Sequence, residues 1–184
     1  ARLLDLHRKS KLPLVIARPG IVLGEGGPLQ HWGIGRWSGP GAVRIWGDGR
    51  NPLPLVLVDD VADGLVAMLD ADGVEGETFN LVGDPMLSAR GYFDAVARLT
   101  GSRIEVRRGS ITAYFLVDCI KYALKRFVLG RSGVAVPSWR DWRSRTQASL
   151  FLNDKAKRRL GWQPEANAEA FERRAVSEAG LFGF

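Results

Sequence analysis

The stretch over residues 12–27, LPLVIARPGIVLGEGG, is the one whose residue types and order best suit holding a ligand. An apolar strand runs into Arg18-Pro19-Gly20, then Ile21-Val22-Leu23, then a glycine-rich loop, which is how a buried strand delivers its chain to a functional edge. Groups that could do chemistry of their own are scarce. The single cysteine, Cys119, cannot close an internal disulfide and lies among apolar neighbours, so it reads as a buried thiol in a reducing compartment rather than as a nucleophile. His7 and His31 do not lie at ligand spacing, and no metal site follows from them. Asp59 and Asp60 invite an acid–base pair, but adjacent residues at a helix start point in different directions. Accepting the free amide hydrogens of the first turn is the better assignment for them. The densest cationic group, Arg140, Arg143 and Arg145 followed by Lys155, Lys157, Arg158 and Arg159, suits an anionic phosphate or an exposed, solvated face. No catalytic residue is assigned within the chain.

These residues need elements to position them. A chain of 184 residues with 46% hydrophobic and 25% charged residues has the composition of one soluble globular domain, without repeats or low-complexity tracts. The net charge of +6 invites a nucleic-acid partner. However, the basic residues are spread along the chain with no recognition motif around them, so nucleic acid is not expected. The first residues, Ala1-Arg2-Leu3-Leu4-Asp5-Leu6, read like the middle of a helix and not like a signal peptide.

The periodicity predicts a helix over 1–10, a strand leading to Arg18, a short helix over 28–37 and a strand over 42–46. Gly47-Asp48-Gly49 marks a turn. A strand over 55–58 precedes a helix over 61–69, and 78–82 is a third strand. Ser88 caps a helix that stops at Thr100-Gly101. Residues 111–129 are apolar nearly all round, with Asp118, Lys121 and Lys125 on one narrow face. That pattern predicts a mostly buried helix or one lying on something greasy, too charged to span a membrane. A tryptophan- and arginine-rich connector and helices near 154–160 and 167–179 complete the chain. Strand and helix alternate, which predicts an α/β sheet.

Four motifs then come in order: Arg18-Pro19-Gly20-Ile21-Val22-Leu23-Gly24; Gly47-Asp48-Gly49 followed by Leu57-Val58-Asp59-Asp60-Val61-Ala62; Thr78-Phe79-Asn80-Leu81; and Lys155-Ala156-Lys157-Arg158-Arg159-Leu160-Gly161-Trp162-Gln163-Pro164. Together, over roughly residues 1–165, they resemble the C-terminal half of an extended short-chain dehydrogenase/reductase, the NAD-dependent epimerase/dehydratase family. The resemblance implies an α/β fold: the C-terminal part of a Rossmann-like parallel sheet plus a small mixed α/β substrate-binding lobe. Residues 1–100 would hold the last Rossmann strands and helices, interleaved with substrate-lobe segments. Residues 101–184 would be mainly substrate-binding lobe and C-terminal helices. The family's triple-glycine turn, its Ser/Thr and its Tyr-x-x-x-Lys pair are not in this sequence. Tyr92, Tyr114 and Tyr122 have no lysine four residues on, so the cofactor-binding half and the catalytic residues are expected upstream of residue 1.

By the same resemblance, Pro19, Gly20, Ile21 and Val22 form the wall beside the nicotinamide of NAD or NADP. Ile21 and Leu53 line the substrate site, with Arg140 or Arg143 as an arginine for a substrate phosphate. Many sugar-nucleotide epimerases carry Asn where Ile21 stands and Arg where Leu53 stands. Replacing both by apolar groups weakens the case for a nucleotide-sugar, which stays the expected substrate class, and makes the less polar substrates of the 3β-hydroxysteroid dehydrogenase and dihydroflavonol reductase branches the alternative. The implied protein is a cytoplasmic epimerase, dehydratase or reductase acting by hydride transfer at a carbinol or carbonyl, inactive as this piece alone and open to forming a homodimer. A non-catalytic dinucleotide-binding subunit is the rival. The helix over 111–129 is assigned as a lid or core helix in preference to an anchor on an anionic membrane surface, and Trp162 as the residue that packs the terminal helix onto the domain.

Overall fold

A computed structural model describes residues 2–39 and 41–177. Helix α1 (Arg2–Ser10) is the first element. Ala1, with which the expected helix began, lies outside the described residues. The apolar run that follows forms two short strands, β1 (Ile16–Pro19) and β2 (Ile21–Leu23), separated only by Gly20. β2 pairs in parallel with β5 (Leu55–Leu57), and β1 with β6 (Thr78–Leu81), so that Pro19 lies opposite Leu81 and Ile21 opposite Leu55. The chain therefore changes partner strand at Gly20. Helix α2 (Val58–Asp70) starts directly after β5 and returns the chain to β6.

Continuous apolar strands of this kind are stable only when covered on both faces, and β5, with Leu55, Val56 and Leu57 all buried, is covered on both. One face carries Val56, Met68, Phe79, Leu81, Ala156 and Trp162, closed by α2 and by α6 (Asp154–Leu160). The other carries Leu23, Leu55, Leu57, Phe93, Phe171 and Val176, closed by α3 (Ala89–Thr100) and α7 (Ala168–Ser177). Ser88 caps α3 as expected, its hydroxyl accepting the Gly91 N–H at 3.1 Å, and Gly101 ends it in the left-handed conformation. The expected C-terminal helix reached Ala179, which lies outside the described residues.

A second, mixed sheet has the order β3-β4-β7, with β3 (Gly35–Gly39) antiparallel to β4 (Ala42–Trp46) and β7 (Glu105–Gly109) parallel to it. The short helix expected over 28–37 does not form. Its second half is β3, where Trp37 stands opposite Val43 and meets Phe93 edge-on at 5.9 Å. Pairing with β4, which buries Val43 and Ile45 completely, outweighs a local spacing of Leu29, Trp32 and Trp37 that looks helical. β7, with the sequence EVRRG, is short and polar and carries no strand pattern of its own.

Beyond β7 lie helix α4 (Ile111–Ala123), continued by a π-helical turn over Leu124–Val128, and helix α5 (Trp139–Ser144). The expectation of a mostly buried helix fails, because no residue of α4 or of its π-turn is buried. Cys119, expected to be a buried thiol, is only half-buried there.

Candidate functional site

The bend after β1 owes its shape to a close approach of two backbones. A Cβ built at residue 20 would overlap the Pro54 carbonyl oxygen, so only glycine lets the chain pass. The Gly20 N–H donates to Leu81 O at 3.0 Å and the Ile21 N–H to Pro54 O at 2.7 Å. Both amide hydrogens are thus taken by the sheet, and what the bend offers to a neighbour is its surface: Pro19 and Val22 are exposed, while Ile21 is half-buried. Such a rigid apolar surface, where parallel strands change partners, suits the face of a flat ring. Ile21 and Leu53 are brought together by the fold, both packing against the core cluster of Leu23, Leu55 and Phe93.

The loop after β2 closes one side of the bend. Gly33 lies against the tip of Ile21, and its N–H donates to His31 Nδ1 at 3.0 Å. That bond leaves Nε2 of the neutral ring as the donor, and burial pushes the His31 pKa down, which favours the neutral form. The next residue begins an aromatic chain. Trp32 stacks on Trp46 at 6.1 Å, and the Trp46 indole N–H donates to Trp32 O at 2.6 Å. Trp46 meets Tyr114 of α4 and Trp142 of α5 edge-on at 5.4 and 5.7 Å, and those two rings stack at 5.5 Å. The Trp142 indole N–H donates to Asp118 Oδ2 at 3.0 Å, and the Arg145 guanidinium sits 5.0 Å from the Trp142 ring centre. The mixed sheet and the α4–α5 pair are joined by these rings. Beside them is a cavity of about 440 Å³ lined by Asp118, Lys121, Tyr122, Asp141, Trp142 and Arg145.

Arg140 and Arg143, the arginines favoured from sequence, stand exposed on α5. Arg145 is the arginine that reaches the rings and the cavity. Sequence reasoning flagged this tryptophan- and arginine-rich segment, but it did not foresee the pairing of Trp46 with Trp142 or the position of His31 beside Ile21.

Asp59 and Asp60 are neither an acid–base pair nor caps. The residue at the N-terminal boundary of α2 is Leu57, and no side chain caps the helix. Asp59 pairs with Arg174 at 2.6 Å. Asp60 is buried, its Oδ2 accepting the Glu165 N–H at 3.1 Å and its backbone oxygen the Trp162 indole N–H at 2.8 Å. Burial raises the Asp60 pKa, opposed by the Glu165 N–H and by Arg174. Trp162 fastens the turn after α6 to the start of α2, a structural role. Among the described residues no group of His, Cys, Asp and Glu could hold a metal ion.

Residues 2–82 match the NAD dependent epimerase/dehydratase family. The matched residues contain α1, the bend, Leu53, β5, α2 and β6. No curated protein matches the chain. Among solved structures the chain is similar to gox2253 (23% identity, TM-score 0.67, covering 96% of this chain and 52% of that one). It is also similar to UDP-glucuronic acid 4-epimerase from Bacillus cereus in complex with UDP-glucuronic acid and NAD (16%, 0.60, 96% and 48%). A third likeness is to RMD from Pseudomonas aeruginosa complexed with NADPH (14%, 0.61, 95% and 50%). At these identities the likeness is one of fold, the Rossmann-like α/β fold of epimerases. The chain spans about half the length of the structures it matches.

Proposed function

We propose that this chain is part of an NAD(P)-dependent enzyme of the epimerase/dehydratase type, an oxidoreductase or isomerase that works by hydride transfer at a substrate carbinol or carbonyl. The observation that carries the assignment is the bend at Gly20, a rigid apolar surface at the carboxyl ends of parallel strands within the segment that matches the family. Pro19, Gly20, Ile21 and Val22 are its nicotinamide-side wall, fitting the ring by shape and apolar contact. The dinucleotide, NAD or NADP, supplies hydride acceptance and donation when bound there. The residues of this chain hold the ring's position and exclude water; the proton-transferring Ser/Thr and Tyr-x-x-x-Lys belong to the other half of the enzyme. Residues 1–100 supply Rossmann elements interleaved with substrate-lobe segments, and residues 101–184 mainly substrate lobe. The cytoplasm is the compartment.

The substrate is a nucleotide-sugar, in keeping with the UDP-glucuronic acid bound in the Bacillus cereus enzyme. Arg145, or Arg140 and Arg143 beside it, is the candidate for its phosphates. A second reading, a less polar substrate, is supported by Ile21 and Leu53, which present apolar groups and share one core cluster. The test is calorimetric titration of the full-length protein with NAD and NADP, followed by turnover assays with UDP-sugars and with sterol or flavonoid carbinols. Dinucleotide binding that is lost when Val22 is replaced by Asp is expected. Absence of dinucleotide binding by the intact protein overturns the proposal. Binding without any turnover, together with a gene that encodes no Tyr-x-x-x-Lys upstream of residue 1, leaves the non-catalytic subunit.

A further inference from the structure

Helix α4 and its π-turn are coated twice with apolar residues, and only one coat is used. The inner face, with Tyr114, Phe115, Asp118 and Tyr122, packs on α5: Tyr114 stacks on Trp142, Phe115 meets Trp139 at 5.4 Å, and Asp118 takes the Trp142 indole N–H. The outer face, spaced three and four apart, is Leu116, Val117, Ile120, Leu124, Phe127 and Val128, between 44% and 78% exposed. Residues at that spacing share one face of a helix. Six contiguous apolar side chains in water are a surface built for an apolar neighbour.

Charge selects that neighbour. Lys121 and Lys125 line the cavity beside Asp118 and adjoin the outer face through Val117, Leu124 and Val128 at three- and four-residue spacing, with Arg126 and Arg131 after them. Between residues 111 and 140 the only acid is Asp118, which lines the cavity with Lys121 and Lys125 and is held there by the Trp142 indole N–H. None of the four cations has a carboxylate partner among the described ion pairs. A second copy docked face to face would set these cations against their own equivalents. An anionic lipid surface accepts both features at once, the apolar arc entering the acyl boundary and the cations meeting the headgroups. No helix among the described residues is long and apolar enough to cross a membrane, so the contact is with one leaflet. We propose that α4 and its π-turn are a peripheral membrane-binding face of the protein for anionic phospholipid.

The experiment is co-sedimentation of the full-length protein with vesicles of phosphatidylcholine alone and of phosphatidylcholine mixed with phosphatidylserine, at low and high salt. Vesicle binding needs neither cofactor nor substrate, so its outcome is independent of the enzymatic assignment. The protein should pellet with the anionic vesicles, less so at high salt. Joint substitution Lys121→Glu and Lys125→Glu should weaken binding about tenfold or more, and Ile120→Ser with Phe127→Ser should abolish it. Failure to bind anionic vesicles overturns the proposal. So does binding that survives Ile120→Ser with Phe127→Ser, because the apolar face would then have no part in it. A soluble oligomer that those substitutions dissociate overturns it as well, and assigns the face to protein.

Discussion

The parallel-sheet region and the α4–α5 region use similar apolar residues in opposite ways. In β5 and β6 the apolar side chains are hidden: Leu55, Val56, Leu57, Phe79 and Leu81 are at most 1% exposed, whereas β1 and β2 bury only Leu23 and leave Pro19 and Val22 at the surface. Along α4 no residue is buried, and the helix is held by ring contacts and one indole hydrogen bond. Apolar burial stabilises roughly in proportion to area, so the first region fixes geometry, and the second can shift at small cost. A site built across the two has a rigid wall at the Gly20 bend and a movable side at the aromatic chain.

The comparison is broken most severely at the wall. Gly20→Ala pushes a methyl group into the Pro54 carbonyl oxygen, in a place where neither backbone can give way without breaking the Ile21–Pro54 hydrogen bond. A loss of about 3 kcal/mol is expected in denaturant unfolding of the full-length protein. Gly73→Ala is the control: Gly73 has a positive φ, of 66°, but faces open space, and should cost only about 1 kcal/mol. Equal losses would show that the bend is not rigid.

The next effect lies at Asp60, which joins α2 to the turn after Trp162. Asp60→Ala leaves the Glu165 N–H without its acceptor and should cost about 2 kcal/mol. Asp60→Asn keeps an acceptor and should cost less. Because the folded pKa is raised, folding favours the protonated carboxyl: that contribution is complete below the ordinary carboxylate value and is lost as pH rises through the raised value. Thermal melts across that window should show the parent losing stability relative to Asp60→Asn as pH increases, and parallel curves would contradict the assignment.

How far these regions could be read from the sequence follows the same division. The apolar strands, the Ser88 cap and the Gly20 bend were legible because each is decided locally, by periodicity, by a hydroxyl at a helix start or by a glycine between strands. β3 and β7 were not. Their pairing with β4 is long-range, and Trp37, which looked helical beside Leu29 and Trp32, is set by Phe93 more than fifty residues away. Asp60 was misread for the same reason: a carboxylate at a helix start resembles a cap, and only the return of Glu165 shows what it binds. Ile21 and Leu53 were named together only through the family resemblance, and nothing in the sequence separated Arg145 from Arg140 and Arg143. What distinguishes it is its position over the Trp46 and Trp142 rings, at 5.6 and 5.0 Å.

On the movable side the effects shrink. Trp142→Phe preserves an aromatic ring to stack on Tyr114 but removes the bond to Asp118, for an expected loss of about 1 kcal/mol. It should also raise hydrogen exchange along α4 while leaving β5 and β6 protected. Exchange rising equally in all three would mean that the two regions open as one unit, and the contrast between them would fall.

The smallest effect is the most discriminating. Ile120 and Phe127 are 67% and 78% exposed, so Ile120→Ser and Phe127→Ser remove little buried area and should change stability by no more than about 0.5 kcal/mol. A side chain that holds the fold together cannot be exchanged for serine at so little cost, whereas one kept for an external surface can. Melting at several protein concentrations separates the cases. A midpoint unchanged by the substitutions at every concentration means the outer face of α4 contributes nothing to the isolated molecule, and its apolar character answers to something outside it. A midpoint that falls equally at every concentration means that this face is covered within the folded molecule, and α4 then belongs with the buried sheet after all.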